Sequence, residues 1–449
     1  MLTQAGTATE PAADQLLYRL EDNPGPVQGV LYGVQHLLLM LAPTSLAPVI
    51  LSGIVHLPAH DTVILVSATM VAAGIATMLQ GQGLGRVGAR LPIVQGAELF
   101  FIPPLGAIAL QAGMGALATL VAAGGLMVAI LGQFFFKVRR FFPPLVVGTV
   151  ITLIGVYLIP VGAGLMLGQG GRFYGTADAF ILGVLTVILI VAMSFYLKGF
   201  AGSVSILLGI VVAYLVAIPM RMVDFAPVVS AAWIGLPRVL PFGLALPTGV
   251  DVAVILVLFV VAGIEALGYV AATCELVGVA PTSDRIARGL FANGLGSFVS
   301  GILGSTPMTA YAQNLSALGV TRVGTRYVSL YAGALMILMG LVPKFDALVT
   351  TIPAPVLGGG LLVLFGTVAG VGVRTLAGAL RGQRELLIFA TSLALGVGFA
   401  LAPSAGLRFM PPSFRIALQT GVAIGALTVI VLNAAAGGAR GRPQTDAAG

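Results

Sequence analysis

Long apolar stretches recur along almost the whole chain, and short polar or glycine- and proline-rich segments separate them. The runs 179–196, 205–220 and 252–270 approach the roughly 20 residues that a helix needs to cross the hydrocarbon core of a bilayer. Backbone N–H and C=O groups in hydrocarbon must be hydrogen-bonded within the protein, so the pattern predicts helices rather than open strands. Extending this division predicts about fourteen spans, namely 27–53, 61–80, 92–112, 114–136, 143–167, 177–197, 199–219, 249–275, 286–302, 303–321, 325–343, 349–371, 384–402 and 413–433.

The longest polar-leaning connection, 221–248, divides these spans into seven and seven. Because seven is odd, the second half begins on the opposite side of the membrane, which is the arrangement of an inverted repeat. The third span of each half is interrupted, and a proline precedes Glu98 and Gln313 by six residues in both. Broken segments at corresponding positions point to a substrate site, since non-helical backbone at membrane depth must be buried or line a wet cavity. The alternative is a pair of kinked structural helices.

Composition supports the membrane assignment, because hydrophobic residues make up 58% of the chain and charged residues 8%. A soluble domain has about 25% charged residues, so this chain carries too few to cover a globular surface. With alternating loops, 16 Lys and Arg residues fall on one side and 6 on the other. The positive-inside rule then predicts that both termini are cytoplasmic. The net charge of +7 does not indicate nucleic acid binding, since the cations lie at helix ends rather than in one patch. The excess of arginine over lysine suggests a bacterial inner (plasma) membrane.

Ionisable groups well inside the predicted spans are few: His36, Glu98 and Glu265. A charge in the membrane costs roughly 2.5–3.5 kcal/mol even on the insertion scale, so such residues indicate a functional site. Glu265 has no Lys or Arg within ten residues on either side. It can therefore alternate between protonated and ionised states, and its two oxygens can accept hydrogen bonds from adjacent N–H groups of a heterocycle. A permanently protonated Glu265, a structural Glu98 and a His36 satisfied by helix packing are the alternatives.

The amides of Gln313 and Asn314 each offer an acceptor and a pair of donors, which suits the edge of a purine or pyrimidine. Asn293, Ser305, Thr306 and Thr309 extend this uncharged polar lining. The chain shows no P-loop, metal-ligand cluster or nucleophile elbow, so we predict neither an enzyme nor a cofactor.

The residues just after the second break resemble the signature of the nucleobase–ascorbate transporter family, which includes the xanthine and uracil permeases. That signature is Gln/Glu-Asn-x-Gly-x-x-x-x-Thr-Arg/Lys/Gly, and here 313–322 reads Gln-Asn-Leu-Ser-Ala-Leu-Gly-Val-Thr-Arg, with Ser316 in place of the glycine. The pair Gln35-His36, the start of span 3 at 90–92 and the stretch 265–268 also resemble family members. The likeness extends over most of the chain.

The resemblance implies an all-α membrane fold of seven plus seven inverted spans, with short strand-like breaks in spans 3 and 10. It implies that Glu265 and Gln313 bind the base, that the backbone near 97–100, with Leu99 and Phe100, contributes from span 3, and that His36 tunes the site. It also implies a homodimer in contact with lipid, in which a core domain moves against a gate domain. The implied segments are a cytoplasmic N-terminal segment 1–26, core domain 27–136 and 249–343, gate domain 143–219 and 349–433, a connecting loop 220–248 and a cytoplasmic tail 434–449.

The residues favour a purine nucleobase:proton symporter of the xanthine or urate type, because Gln313 resembles the purine branch. Sodium is the other coupling ion considered. The alternatives are a uracil or pyrimidine permease of the same fold and an anion transporter of the related sulfate or bicarbonate fold. Tyr269 replaces a polar histidine or aspartate common in the family, and Asn293 stands where many xanthine transporters have aspartate. These two changes depart from the usual proton-coupling network of the family. We assign coupling to Glu265, Glu98 and Asn293, and we count Glu98 and Tyr269 among the substrate-binding residues. Glu98, unusual for the family, either compensates for the two changes or recognises a different ligand.

Overall fold

A computed structural model of the protein describes residues 16–134 and 143–436. The beginning of the predicted N-terminal segment, the end of predicted span 4 and most of the predicted tail lie outside the described residues. The described elements are α1 (Gly25–Val55), α2 (Ala59–Gln82), β1 (Gln95–Ala97), a 3-10 turn (Leu99–Phe101), α3 (Ile102–Gly132), α4 (Pro144–Met166), α5 (Ala177–Tyr196), α6 (Gly199–Ser203), α7 (Ser205–Ala217), α8 (Ala226–Ser230), α9 (Gly249–Leu276), α10 (Ser283–Ile302), β2 (Met308–Ala310), α11 (Ala312–Thr321), α12 (Tyr327–Gly340), α13 (Pro343–Thr350), α14 (Ala354–Ala377), α15 (Gln383–Ala400), a 3-10 turn (Ser404–Leu407), α16 (Pro412–Gln419) and α17 (Gly421–Ala435).

Seven of the described helices are long and apolar enough to cross a membrane, and an eighth crossing results if α12 and α13, bent by 82°, count as one span. The other predicted spans contain helices that are shorter, less apolar or interrupted, so the described residues contain fewer apolar helices of membrane length than the fourteen spans predicted. Gly113, with φ of 82°, breaks the helical path of α3 in the gap between predicted spans 3 and 4. Only glycine adopts such a left-handed conformation readily, so this residue sets the boundary.

The two predicted breaks form short strands that pair with each other. β1 and β2 are antiparallel, with Gly96 opposite Thr309, and the N–H of Glu98 extends the ladder to the carbonyl of Pro307 at 2.8 Å. This pairing satisfies backbone groups that neither segment could satisfy alone. The predicted strand-like breaks in spans 3 and 10 are therefore confirmed. Prolines at the start of α3 fit its first turn, where no N–H partner is lost.

The helices pack in two groups. The strand-bearing bundle contains the two strands and the helices that surround them, with α12 against α1 and α2, and α10 against α3. The flanking bundle is built around α4 and α14, with α5 and α7 on one side and α15 and α17 on the other. α9 belongs to the strand-bearing bundle and also contacts the flanking bundle through α16 and α17. The groove between the bundles lies beside the paired strands β1 (Gln95–Ala97) and β2 (Met308–Ala310), which we call the strand crossing.

A polar clamp closes one end of the strand-bearing bundle. Glu21 accepts a hydrogen bond from Arg90, which precedes β1, at 3.1 Å, and another from Arg326, which follows α11, at 2.8 Å. Arg326 also donates to the carbonyl of Gly81 at the end of α2. Partial burial raises the pKa of Glu21, but the hydrogen bonds and charges of the two guanidinium groups outweigh it and hold that pKa below its usual value. The clamp thus ties together the ends of both broken spans.

Candidate functional site

A cavity of about 270 Å³ lies between the two bundles, directly beside the strand crossing. This is slightly below the usual range of ligand pockets, about 300–1,000 Å³, and suits a small ligand. Its strand-bearing wall comes from α1, the 3-10 turn, α9 and α11, and its opposite wall comes from α4 and α14. The lining residues are Pro43, Glu98, Leu99, Ile154, Leu158, Glu265, Tyr269, Tyr311, Gln313, Leu315, Leu364, Phe365, Thr367, Val368, Val371 and Arg374.

Glu265 and Tyr269 form one edge of this cavity. They lie one turn apart on α9, and the Tyr269 hydroxyl donates a 2.8 Å hydrogen bond to Oε1 of Glu265. The other carboxyl oxygen, Oε2, is buried and has no hydrogen-bond partner among the described residues. One oxygen of Glu265 is thus held in place and the second remains available to a ligand N–H group.

Glu98 contributes the second carboxyl group. It follows β1 directly, serves as the N-cap of the 3-10 turn and is buried. Its Oε2 also lacks a hydrogen-bond partner within the part of the chain described. No salt bridge reaches Glu98 or Glu265 within residues 16–134 and 143–436. The cavity therefore presents two carboxyl groups without a fixed counter-charge in contact with either.

Two helix beginnings face the same space. The 3-10 turn that leads into α3 starts at Leu99, α11 starts at Ala312, and no N-cap side chain caps either start. The first N–H groups of a helix have no partner in the helix, and its N-terminal end carries a partial positive charge. Leu99 and Gln313 line the cavity at these starts. The lining at these two starts therefore contains one side-chain amide, that of Gln313, beside the two carboxyl groups.

His36 and Asn314 lie behind the cavity rather than in its lining. Nδ1 of His36 and Oδ1 of Asn314 are 2.6 Å apart, and the Asn314 amide donates to the carbonyl of Pro92 at 2.6 Å. These bonds connect α1, the segment before β1 and α11. Both side chains are almost fully buried, so the network positions the broken segments.

The remaining predicted residues support the strands from other sides. Phe100 is fully buried and stacks on Phe101 in the apolar core, away from the cavity lining. Asn293 on α10 accepts a 3.1 Å hydrogen bond from the Gln95 amide in β1. Three hydroxyl residues named as polar lining, Ser305, Thr306 and Thr309, are buried around β2 and do not line the cavity.

Sequence reasoning missed several lining residues. The hydroxyl of Tyr311 donates to the carbonyl of Ala97 and bridges the two broken segments. Arg374, near the end of α14, is exposed and lines the cavity. From the sequence it counted only as one of the cations that predict the orientation in the membrane. Phe365 and Thr367 come from the same helix. No pattern in α14 marked these residues, because the pairing of the two bundles alone brings them to the site.

Comparisons with known proteins show the family to which the chain belongs. The model of the Permease family (Xan_ur_permease) matches residues 27–405. The nucleobase transporter PlUacP of Paenibacillus larvae is 33% identical over 405 residues, covering 89% of this chain and 93% of that protein. The uric acid permease PucJ of Bacillus subtilis is 32% identical over 407 residues, covering 89% of this chain and 90% of that protein. The xanthine permease XanP of Escherichia coli is 32% identical over 438 residues, covering 93% of this chain and 94% of that protein.

The transmembrane domain of a cyanobacterial bicarbonate transporter, BicA, has a similar structure. Its TM-score is 0.57 at 16% identity, over 92% of this chain and 99% of that chain. At such low identity the likeness concerns the fold alone. It confirms the predicted class, an all-α integral membrane fold of the inverted-repeat transporter type.

Proposed function

Since the chain belongs to the Permease family, we propose that it is a nucleobase transporter that carries purines of the xanthine and uric acid type. The observation that carries this proposal is the cavity in which Glu98, Glu265 and Gln313 meet beside two helix beginnings. Xanthine and uric acid are planar molecules with N–H donors and carbonyl acceptors around their rings, so they need both kinds of partner.

The recognition chemistry follows from the placement of donors and acceptors. The free oxygens of Glu265 and Glu98 accept hydrogen bonds from ring N–H groups, and charge-assisted bonds of this kind are short and strong. The Gln313 amide and the first backbone N–H groups of α11 donate to the ring carbonyls. Leu99 and Phe365 supply apolar contact surface from opposite walls.

Glu265 and Glu98 also couple transport to protons in this proposal. Two carboxyl groups that face one small cavity titrate as a pair, so they can retain a proton between them. Binding of a base that donates N–H groups to the ionised form links substrate occupancy to the protonation state. Asn293 accepts a hydrogen bond from the Gln95 side chain in β1. An amide side chain does not titrate, so the part of Asn293 in coupling is to hold β1 in place.

The division into two bundles supports transport by alternating access. We assign the strand-bearing bundle to the core domain and the flanking bundle to the gate domain, with the substrate between them. Movement of one bundle relative to the other would expose the cavity to each side in turn. The charge distribution and the resemblance favour a homodimer in the bacterial inner membrane with both termini cytoplasmic.

Uptake of radiolabelled xanthine and uric acid by bacterial cells that lack their own purine permeases tests the function. The wild type should accumulate one of these purines, and Glu265→Gln should lose concentrative uptake while still reaching the membrane. The matched control is Glu275→Gln, which removes an exposed carboxyl ten residues later on the same helix and should leave uptake unchanged. If Glu265→Gln accumulated purine at the wild-type level in a proton-driven manner, Glu265 would not be the residue that couples transport to protons.

One observation favours an anionic substrate, because Arg374 is among the residues that line the same cavity. Bicarbonate and sulfate therefore belong in the uptake panel. If the cells accumulated an anion and accumulated no purine, the chain would be an anion transporter and the nucleobase proposal would be wrong.

A further inference from the structure

A second cavity, of about 370 Å³, lies near the α1–α2 connection. It is formed by one face of the first turns of α2, by α8 with the loop that follows it, and by Pro343 at the start of α13. The polar clamp at Glu21 contacts the opposite end of α2, through Gly81. α2 has 24 residues and is therefore about 36 Å long. The second cavity thus opens on the side of the molecule opposite to the clamp, the side predicted to be external.

The floor of this cavity leads to a buried acid that the substrate site does not use. Ser67 on α2 lines the cavity and is 7% exposed, and its hydroxyl donates to Oδ2 of Asp346 at 2.5 Å. Asp346, on α13, is 0% exposed. Its other oxygen, Oδ1, has no hydrogen-bond partner among the described residues. One hydroxyl group therefore connects this acid to the cavity.

No fixed cation neutralises Asp346 within residues 16–134 and 143–436. Lys344, two residues earlier, is directed elsewhere, because its ammonium group donates to the carbonyl of Val228 at 2.9 Å and lies over the ring of Trp233. α13 packs against α1, α2, α8 and α12. The charged or titratable groups that these elements and their adjoining loops place on this side of the molecule are His56, His60, Asp61, Arg221, Asp224, Arg238 and Lys344.

Both protonation states of Asp346 have structural support. An ionised carboxylate without a paired charge is costly in an apolar interior, which favours the protonated form. The Ser67 hydrogen bond and the position in the first turn of α13 favour the ionised form. A carboxyl group under such opposing influences, one hydroxyl away from a solvent-open cavity, is suited to bind and release a proton.

We propose that Asp346 is a proton-binding site on the side opposite the clamp, loaded from the second cavity through Ser67. In the loading step the Ser67 hydroxyl gives its proton to Oδ2 of Asp346, and its oxygen takes a proton from a hydronium ion in the cavity, which leaves a water molecule. One O–H bond breaks and one forms at Ser67, so the net result is transfer of one proton from solvent to the carboxylate. This site extends the coupling part of the proposed function and is separate from Glu98 and Glu265.

Infrared difference spectroscopy of the purified full chain, recorded as the pH is stepped from alkaline to acidic, tests this site without any substrate. The wild type should show a protonated-carboxyl band that grows on acidification and is absent in Asp346→Asn. The same band should persist in Glu265→Gln and in the control Asp61→Asn, which alters a nearby acid at the start of α2. A band insensitive to pH, or one that remains in Asp346→Asn, would overturn the proposal.

Ser67→Ala tests the route and covers the case in which Asp346→Asn does not fold. After a rapid pH step, loading of Asp346 should slow by about a hundredfold, the lower end of the contribution of a positioned proton donor. Loading at the wild-type rate in this variant would overturn the proposal. Since neither measurement uses a purine, failure of the nucleobase proposal would be seen separately, in uptake and in purine binding.

Discussion

Replacement of Gly96 by alanine tests whether the strand crossing holds the substrate site in place. Gly96 is the central residue of β1 and pairs with Thr309. A Cβ atom there would lie 2.6 Å from Cε2 of Tyr311 and would also collide with the hydroxyl of Thr44. Both neighbours are buried, and the Tyr311 hydroxyl is bonded to the carbonyl of Ala97, so neither can move away freely.

The size of the effect follows from these contacts. Overpacking of a dense interior costs about 1–3 kcal/mol, and loss of the Tyr311 hydrogen bond adds about 1 kcal/mol. Because Tyr311 lines the cavity, displacing it should also disturb ligand contacts. If 1.4–2.8 kcal/mol of this total destabilises the purine-bound protein relative to the free protein, purine affinity decreases about 10- to 100-fold.

Purine binding by the purified Gly96→Ala variant, measured by titration calorimetry together with its thermal midpoint, provides the assay. The matched control is Gly366→Ala on α14, where a Cβ atom would meet nothing within 4 Å. The control should retain wild-type affinity and midpoint. If Gly96→Ala bound purine as tightly as Gly366→Ala, the strand crossing would not position the site as described.

Three further changes have defined outcomes. Gln313→Glu should shift the preference in competition uptake from purine toward uracil, since a carboxylate replaces the amide at the cavity wall; an unchanged preference would remove Gln313 from specificity. His36→Ala should reduce uptake by loosening the bond to Asn314, whereas His56→Ala, at an exposed residue beyond α1, should not, and equal uptake by both would contradict the positioning role. Glu21→Gln should lower the free energy of unfolding at neutral pH by well under about 1 kcal/mol, because the clamp is partly exposed, and the thermal midpoint should fall only slightly. The pKa of Glu21 is lowered in the folded state, so this stabilisation is present above the ordinary pKa and is lost as the pH falls through the lowered one; a wild-type advantage that grew on acidification would contradict the clamp.

The sequence was sufficient to predict the membrane class, the main apolar segments and the two breaks. Proline and glycine interrupt hydrophobic periodicity locally, so the broken segments around Glu98 and Gln313 were visible without tertiary information. The rarity of acids within apolar runs likewise identified Glu98 and Glu265, which the structure brings to one cavity.

The opposite wall of the cavity could not be predicted in the same way. Thr367 and Arg374 occupy ordinary positions on an apolar helix, and their role depends on how the flanking bundle packs against the strand-bearing bundle. His36 and Asn314 were recognisable as unusual polar residues, but the sequence did not show that they bond to each other behind the site. Asp346 lies in the short connection between predicted spans 325–343 and 349–371, and no pattern in the sequence indicated that it would be completely buried.

The most direct test of the central claim is ligand-dependent thermal stabilisation of the wild type and of Glu265→Gln. A ligand that binds only the folded protein stabilises it by about 2.7 kcal/mol at a concentration a hundredfold above its Kd. We expect xanthine or uric acid to raise the midpoint of the wild type and not that of Glu265→Gln, while bicarbonate and sulfate leave both unchanged. A shift with anions alone, or with no purine, would contradict a purine site between the two bundles.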